Sequence, residues 1–339
     1  MPDTKSADVV WAKTAGGLEL PVIDVTQPRF ALADDADASA ALLSAYIEAE
    51  RRRARTPRPL SWMMMALAAR QSQLLHALMY PQAGYLDGLT TYIIKLGAEN
   101  LPAPFNNKID RRVAAAPPVV AMRLRLQQCA QLMAEGLEAP LRHAPAVPLR
   151  LLNIAGGTAI DSLNALILLK RDAPELLARP IQILVLDIAA NAPTFGANAL
   201  AALTREGRAL AGLNIAFRHE FHDWNQAAPL ADIVQQAAAQ GAIVAASSEG
   251  GLFEYGSDDA IVSNLAALRN GDHGAALVVG SVTSADTIRR DQIAGGRFKL
   301  VPRGVDGFAP LATRGGFALA KLKSTPISDQ VLLQPDSPA

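Results

Sequence analysis

Between Ala38 and about Glu138, apolar residues recur at three-and-four spacing, the period of one face of an α-helix. Ser61–Tyr80 shows this through Met64, Leu67, Ala68, Leu74, Leu75 and Leu78, and predicts a helix stopped by Pro81 and Gly84. The pattern resumes over Tyr85–Leu96, breaks in the loop Leu101–Asn107, and returns over Pro117–Leu141 with proline near the helix start. Residues 1–40 are mixed, with one short extended piece at Leu18–Val25. After the Pro-stiffened linker His143–Pro148 the rhythm changes. Continuous apolar runs stand at Leu149–Ala155, Ile181–Leu186, Ile215–Phe217, Ala242–Ala246 and Ala275–Val279. Helical stretches at Asp161–Lys170, Ala197–Ala211, Leu230–Ala239 and Asp259–Leu268 separate most of them. Strands apolar on both faces, alternating with helices, predict a parallel sheet covered on both sides. Phe298–Val301, Gly316–Lys323 and Gln330–Leu333 read as further strands with no helix between them, an antiparallel addition at one sheet edge.

The division is therefore a helical N-terminal domain, residues 1–144, and an α/β domain, residues 145–339. A length of 339 residues agrees with two domains. The 32 basic and 32 acidic side chains cancel, so no overall field draws the chain to nucleic acid or to an anionic membrane. The local cluster Arg51, Arg52, Arg53, Arg55 and Arg58 reads as a solvated helix end or loop, with a phosphate site as the alternative. One cysteine, Cys129, excludes an internal disulfide and a multi-cysteine zinc site, and its apolar-periodic surroundings predict a buried thiol. The N-terminus lacks a basic-then-apolar signal pattern, and no apolar run nears the roughly 18 residues of a membrane span. The expectation is a soluble, cytoplasmic protein.

The most informative segment is Leu149–Leu166. A buried strand ends at Ala155, the small residues Gly156, Gly157 and Ala159 follow, and a helix starts near Ile160. Small side chains there let a ligand approach the backbone at the carboxyl end of a strand, where open α/β sheets bind ligands. The next strand ends on Asp187, whose carboxylate can accept both hydroxyls of a ribose. No Gly-Lys-Ser/Thr follows the turn, which excludes a Walker loop. The positions of G-x-G-x-x-G hold Ala155, Gly157 and Ile160, and Asp161 at the helix start would repel a pyrophosphate. S-adenosylmethionine carries no phosphate and tolerates that acid.

Residues 149–339 resemble the class I S-adenosylmethionine-dependent methyltransferases. Leu152–Asp161 is similar to that family's glycine-rich motif I, Asp187 to its ribose-binding acid, and the tail to its last two strands, the final one antiparallel. The resemblance implies a Rossmann-like, seven-stranded, mostly parallel sheet with an antiparallel edge strand. It implies S-adenosylmethionine as cofactor, held by Asn153, Ala155, Gly156, Gly157, Thr158, Asp161, Asp187, Ile188 and Ser247. After the third strand, Asp223 or His222 would contact the adenine amino group, with Trp224 or Phe221 packing on the base. The loop after the fourth strand would face the transferring methyl group, where Glu249, Tyr255 and His222 are the candidates to orient a substrate or take a proton. His219 and His222 are three apart, which on a strand faces them oppositely, and no metal site is expected. The N-terminal helices would cap a small-molecule acceptor, with Tyr80, Tyr85 and Tyr92 as amphipathic lining or core. Met63-Met64-Met65 reads as core or as a homodimer contact, His76 as core or interface, and His273 as a turn residue. Aminoalkyl transfer from the same cofactor, a nicotinamide-dependent oxidoreductase and a non-enzymatic protein retaining the fold remain the alternatives.

Overall fold

The computed structural model describes residues 8–269 and 274–336, so His273 lies outside the described residues. A short antiparallel pair, β1 (Trp11–Lys13) and β2 (Glu19–Pro21), opens the described chain. Six helices follow: α1 (Ala36–Arg55), α2 (Arg58–Ala69), α3 (Gln73–Met79), α4 (Gly88–Lys95), α5 (Lys108–Ala114) and α6 (Pro117–His143). The α/β region runs β3 (Leu149–Ile154), α7 (Ile160–Asp172), β4 (Ile181–Leu186), α8 (Asn191–Leu203), β5 (Ile215–Glu220), α9 (Ala228–Ala239) and β6 (Ile243–Ser248). It closes with α10 (Leu252–Tyr255), α11 (Asp258–Arg269), β7 (Leu277–Thr283), α12 (Thr287–Ala294), α13 (Gly304–Arg314), β8 (Phe317–Ser324) and β9 (Ser328–Pro335).

The seven strands β3–β9 form one sheet in the order β5-β4-β3-β6-β7-β9-β8. The first five are parallel, and β9 runs antiparallel to both β7 and β8. The reversed strand thus sits one place in from the edge. Successive residues of β3 serve opposite faces. Leu149 and Leu151 join the core shared with α6 and α7, while Leu152 and Ile154 join the core under α9, α11 and α13. The first of these cores also takes Leu20, Ile94 and Leu96, so the N-terminal helices and the sheet share apolar packing. Polar ties add to it: Asn164 of α7 accepts from the Val25 amide at 2.8 Å and donates to the Ile23 carbonyl at 3.0 Å.

Several sequence expectations need correction. The helix expected over Ser61–Tyr80 is two, α2 and α3. Ser72 breaks it, because its hydroxyl caps α3 through the Leu75 amide at 3.0 Å and donates to buried Asp110 at 2.5 Å. The helix expected over Ala197–Ala211 lies earlier, as α8, and positive φ at Gly207 belongs to the turn after it. Phe298–Val301 is irregular, held by the Lys299 amide on the Gly84 carbonyl and the Val301 amide on the Glu254 carbonyl. A helix, α13, does intervene in the tail. Its Gly304, Gly307 and Pro310 hide it from propensity, and burial of Phe308, Leu311 and Ala312 on the α11 side of the sheet forms it. The Met63–Met65 run is not core but exposed, and so is His76. Cys129 is buried, which pushes its thiol pKa up.

Candidate functional site

The carboxyl ends of β4, β3 and β6 lie side by side and present the predicted residues. After β3 the chain turns sharply, with Ala155, Gly157 and Ala159 all in the left-handed region at φ of 51°, 53° and 51°. Glycine adopts that conformation freely and alanine under strain. Gly156 has its own constraint, since a Cβ there would meet the Asn153 side chain at 2.6 Å.

Beneath the turn lies a buried polar network. Asn153 donates to Asp161 at 2.9 Å and to the Ser247 hydroxyl at 2.7 Å, and accepts from Ser162 at 2.9 Å. The β3–β6 register makes Asn153 and Ser247 neighbours. Burial raises the Asp161 pKa, against the lowering effect of Ser247, and Asp161 Oδ2 has no hydrogen-bond partner among the described residues. Thr158 is buried too, under Gly196 of α8, where a Cβ would strike the Thr158 carbonyl oxygen at 2.3 Å.

On the β4 side, Asp187 accepts from the Gly157 amide at 3.1 Å and from the Ala189 amide at 3.0 Å. The turn and the acid are thereby locked together. Two large apolar side chains flank it in the open, Ile188 at 69% exposure and Phe221 at 75%. His222 is buried, which lowers its pKa against the opposing effect of Asn264. Asp223 is occupied locally, accepting from the Asn225 amide and side chain at 2.9 and 2.8 Å. Trp224 is half-buried and begins an aromatic row: its ring is 6.3 Å from Tyr85, which is 5.1 Å from Tyr255. The Lys299 ammonium stands 5.6 Å above the Tyr85 ring. Desolvation pushes the Tyr255 hydroxyl well above its ordinary range.

On the β6 side the site is closed. Glu249 is buried with both carboxylate oxygens in ion pairs, one to Lys95 of α4 and one to Arg125 of α6 at 2.6 Å. Arg125 continues to Glu254 of α10 at 2.8 Å. Burial alone would raise the Glu249 pKa, but the two cations outweigh it and hold the carboxyl below its ordinary value. α4 also reaches the turn itself. A Cβ on Gly88 would lie 3.2 Å from the Gly157 Cα and 2.9 Å from the Ala192 Cβ. On the other flank, a Cβ on Gly251 would lie 3.0 Å from the Ala155 Cβ.

The structure therefore brings the predicted residues together in three groups: Asn153, Asp161 and Ser247 below the turn, Asp187 and Ile188 on its open side, and Glu249 on its closed side. Sequence reasoning missed Arg125 altogether. Its signal was an arginine in the same helical phase as Ala121 and Cys129. Among the described residues no group of three histidine, cysteine or acidic side chains is placed to hold a metal ion. Two clefts, of about 630 and 260 Å³, lie away from the turn, the larger lined by Asp286, Arg290, Arg303, Asp306 and Asp329.

The open side presents a carboxylate, a glycine in a left-handed turn and two exposed apolar side chains, polar and lining groups of the kind a nucleoside requires. The closed side has no such cradle, because protein groups already occupy it.

No protein-family model matches the chain, and no curated protein matches it. Among solved structures the chain is similar to a possible exported protein from Bordetella parapertussis, at 15% identity, over 90% of this chain and 100% of that one, with a TM-score of 0.49. It is similar to the S-adenosylmethionine-dependent methyltransferase SibL at 12% identity, over 89% and 76% of the two chains, with a TM-score of 0.42. For human N-acetylserotonin methyltransferase, solved in complex with SAM, the values are 14% identity, 81% and 66% coverage, and a TM-score of 0.39. No helix among the described residues is long and apolar enough to cross a membrane. Five parallel strands in the order β5-β4-β3-β6-β7, an antiparallel last strand β9 and a glycine turn after β3 make this a Rossmann-like, seven-stranded, mostly parallel sheet, the architecture that the resemblance to the class I methyltransferases implied.

Proposed function

We propose that the chain is an S-adenosylmethionine-dependent methyltransferase acting on a small-molecule acceptor in the cytoplasm, with residues 145–339 holding the cofactor and residues 1–144 covering the acceptor. The observation that carries this reading is the Asp187 carboxylate at the tip of β4, hydrogen-bonded to Gly157 and flanked by exposed Ile188 and Phe221. A carboxylate at that place accepts ribose hydroxyls, and apolar side chains beside it cover a base.

The cofactor supplies a methyl group already activated on a sulfonium, so the work left to the protein is positioning and exclusion of water. Gly156, Gly157, Asp187 and Ile188 hold the nucleoside. Asn153, Thr158, Asp161 and Ser247 brace the turn from beneath. Tyr85, Trp224 and Tyr255 form an aromatic wall for the acceptor. The Tyr255 hydroxyl, raised by burial, stays protonated at neutral pH, so it can act only as a neutral hydrogen-bonding group. Glu249 stays ionised and anchors Lys95 and Arg125, which makes it a positioning residue and not a proton acceptor. Burial disfavours the protonated form of His222, so its imidazole stays neutral and is a weak base at this edge.

A second reading, the fold kept without catalysis, is favoured by one observation: Gly88 of α4 packs directly on Gly157. Calorimetric titration with S-adenosylhomocysteine separates the two. Saturable binding that Asp187→Ala weakens supports the enzyme. Absence of binding at millimolar ligand, with the protein folded, leaves the second reading.

A further inference from the structure

On α2, Leu60, Met63, Met64 and Leu67 stand at i, i+3, i+4 and i+7, the spacing that places four side chains on one helix face. Helices turn such a stripe to the core. α6 does so with Leu126, Cys129, Met133 and Leu137, all buried. In α2 the stripe faces solvent, with the four residues 45, 60, 60 and 61% exposed. Trp62 and Met65 beside it are exposed as well, and Ala69 is the residue of α2 that is buried.

The same stretch is basic. Arg51, Arg52, Arg53 and Arg55 are exposed at the end of α1, Arg58 opens α2, and exposed Arg70 follows it. No aspartate or glutamate occurs between Arg51 and Leu86. Glu48 and Glu50 partner Arg52 at 3.8 Å and Arg53 at 2.8 Å, and Arg51 and Arg55 have no ion pair among the described residues. The chain's zero net charge therefore conceals a concentrated positive segment around an exposed apolar helix.

We propose that the end of α1 and helix α2 dock on the surface of an anionic phospholipid bilayer. The occupant of this face must offer apolar surface and negative charge together. A bilayer of anionic lipid does: the stripe enters the headgroup–acyl boundary while the arginines reach the phosphates. Trp62 adds an indole suited to that boundary. Twelve residues of helix span only about 18 Å, against about 30 Å of hydrocarbon, so α2 lies in the interface and does not cross it. A second copy of the chain matches less well, because pairing two such faces gathers both arginine clusters with no acid in the segment to offset them.

The test is flotation of the full chain with vesicles of phosphatidylcholine alone and of phosphatidylcholine with phosphatidylglycerol. The expected result is binding to the anionic vesicles at least about tenfold stronger than to the neutral ones, weakening as salt is raised. The double variant M63E/M64E and the double variant R52E/R55E each lower it by about tenfold or more. All four positions are exposed, so both variants melt with the parent, which circular dichroism checks. Equal affinity for both vesicle types, or undiminished binding by M63E/M64E, overturns the proposal. So does a stable dimer in analytical ultracentrifugation that M63E/M64E dissociates, since that assigns the face to a second copy.

Discussion

The tips of β4 and β6 flank the tip of β3 on the same sheet edge, yet they are finished in opposite ways. At β4, Asp187 accepts from two backbone amides among the described residues and lies at a strand end with exposed Ile188 and Phe221. At β6, Glu249 is buried and tied to two helices of the N-terminal half through Lys95 and Arg125. On the proposed function one side of the glycine turn would meet a ligand, while the other joins the two halves of the chain. Two acids at equivalent strand ends thus have different duties, set by what packs over them.

The largest effect is expected from Arg125→Ala. It leaves Glu254 without its ion partner and Glu249 with Lys95 alone, both in a buried setting. Losing one partner of a buried network costs about 3–5 kcal/mol, read from the urea unfolding midpoint. A loss below about 1 kcal/mol breaks the comparison, since the closed side would then not join the halves. The same network predicts acid sensitivity. A carboxyl held below its ordinary value of 4.5 adds stability that is present above that pH and lost as pH falls through the lower, folded value. The parent should lose stability below about pH 4.5 more steeply than Glu249→Gln.

Next is Asp187→Ala, expected to weaken S-adenosylhomocysteine binding by about 1.5–3 kcal/mol in calorimetry, since it removes hydrogen bonds to a charged acceptor. Its unfolding midpoint should move far less than that of Arg125→Ala. If both variants lose stability alike and neither changes binding, the two tips do not differ in duty.

A smaller effect sharpens the region between them. Burial raises the Asp161 pKa and leaves Oδ2 unpartnered among the described residues. A raised acid destabilises the folded chain above its folded pKa, and the penalty disappears below the unfolded value. Asp161→Asn keeps the oxygen that accepts from Asn153 and removes the charge. It should raise the unfolding midpoint at pH 7, with the gain vanishing in acid. Smallest is Ala159→Gly. It relieves a left-handed alanine at φ 51° but loosens the unfolded chain, for a net gain of about 0.5 kcal/mol in thermal unfolding.

Much of the α/β region was legible because its strands are continuous apolar runs. β4 occupies the predicted Ile181–Leu186, and α9 begins two residues before the predicted Leu230. α13 was not legible, since glycine and proline count against a helix that the Phe308 anchor nevertheless holds. In the site, Asp187 announced itself as an acid ending an apolar run. Glu249 follows two serines in a polar, glycine-rich loop, and its sequence neighbourhood contains neither cation that pairs with it.

Local chemistry along the chain determined the alternation of strand and helix, the glycine turn after β3, the acid at the tip of β4 and the burial of Cys129. These follow from periodicity, side-chain size and the conformational freedom of glycine, all properties of residues close in sequence. Tertiary structure alone decided which side of the turn is open. Lys95 and Arg125 lie 154 and 124 residues from Glu249. A contact over such a separation leaves no periodic trace, because it depends on how helices pack on the sheet and not on any residue's neighbours.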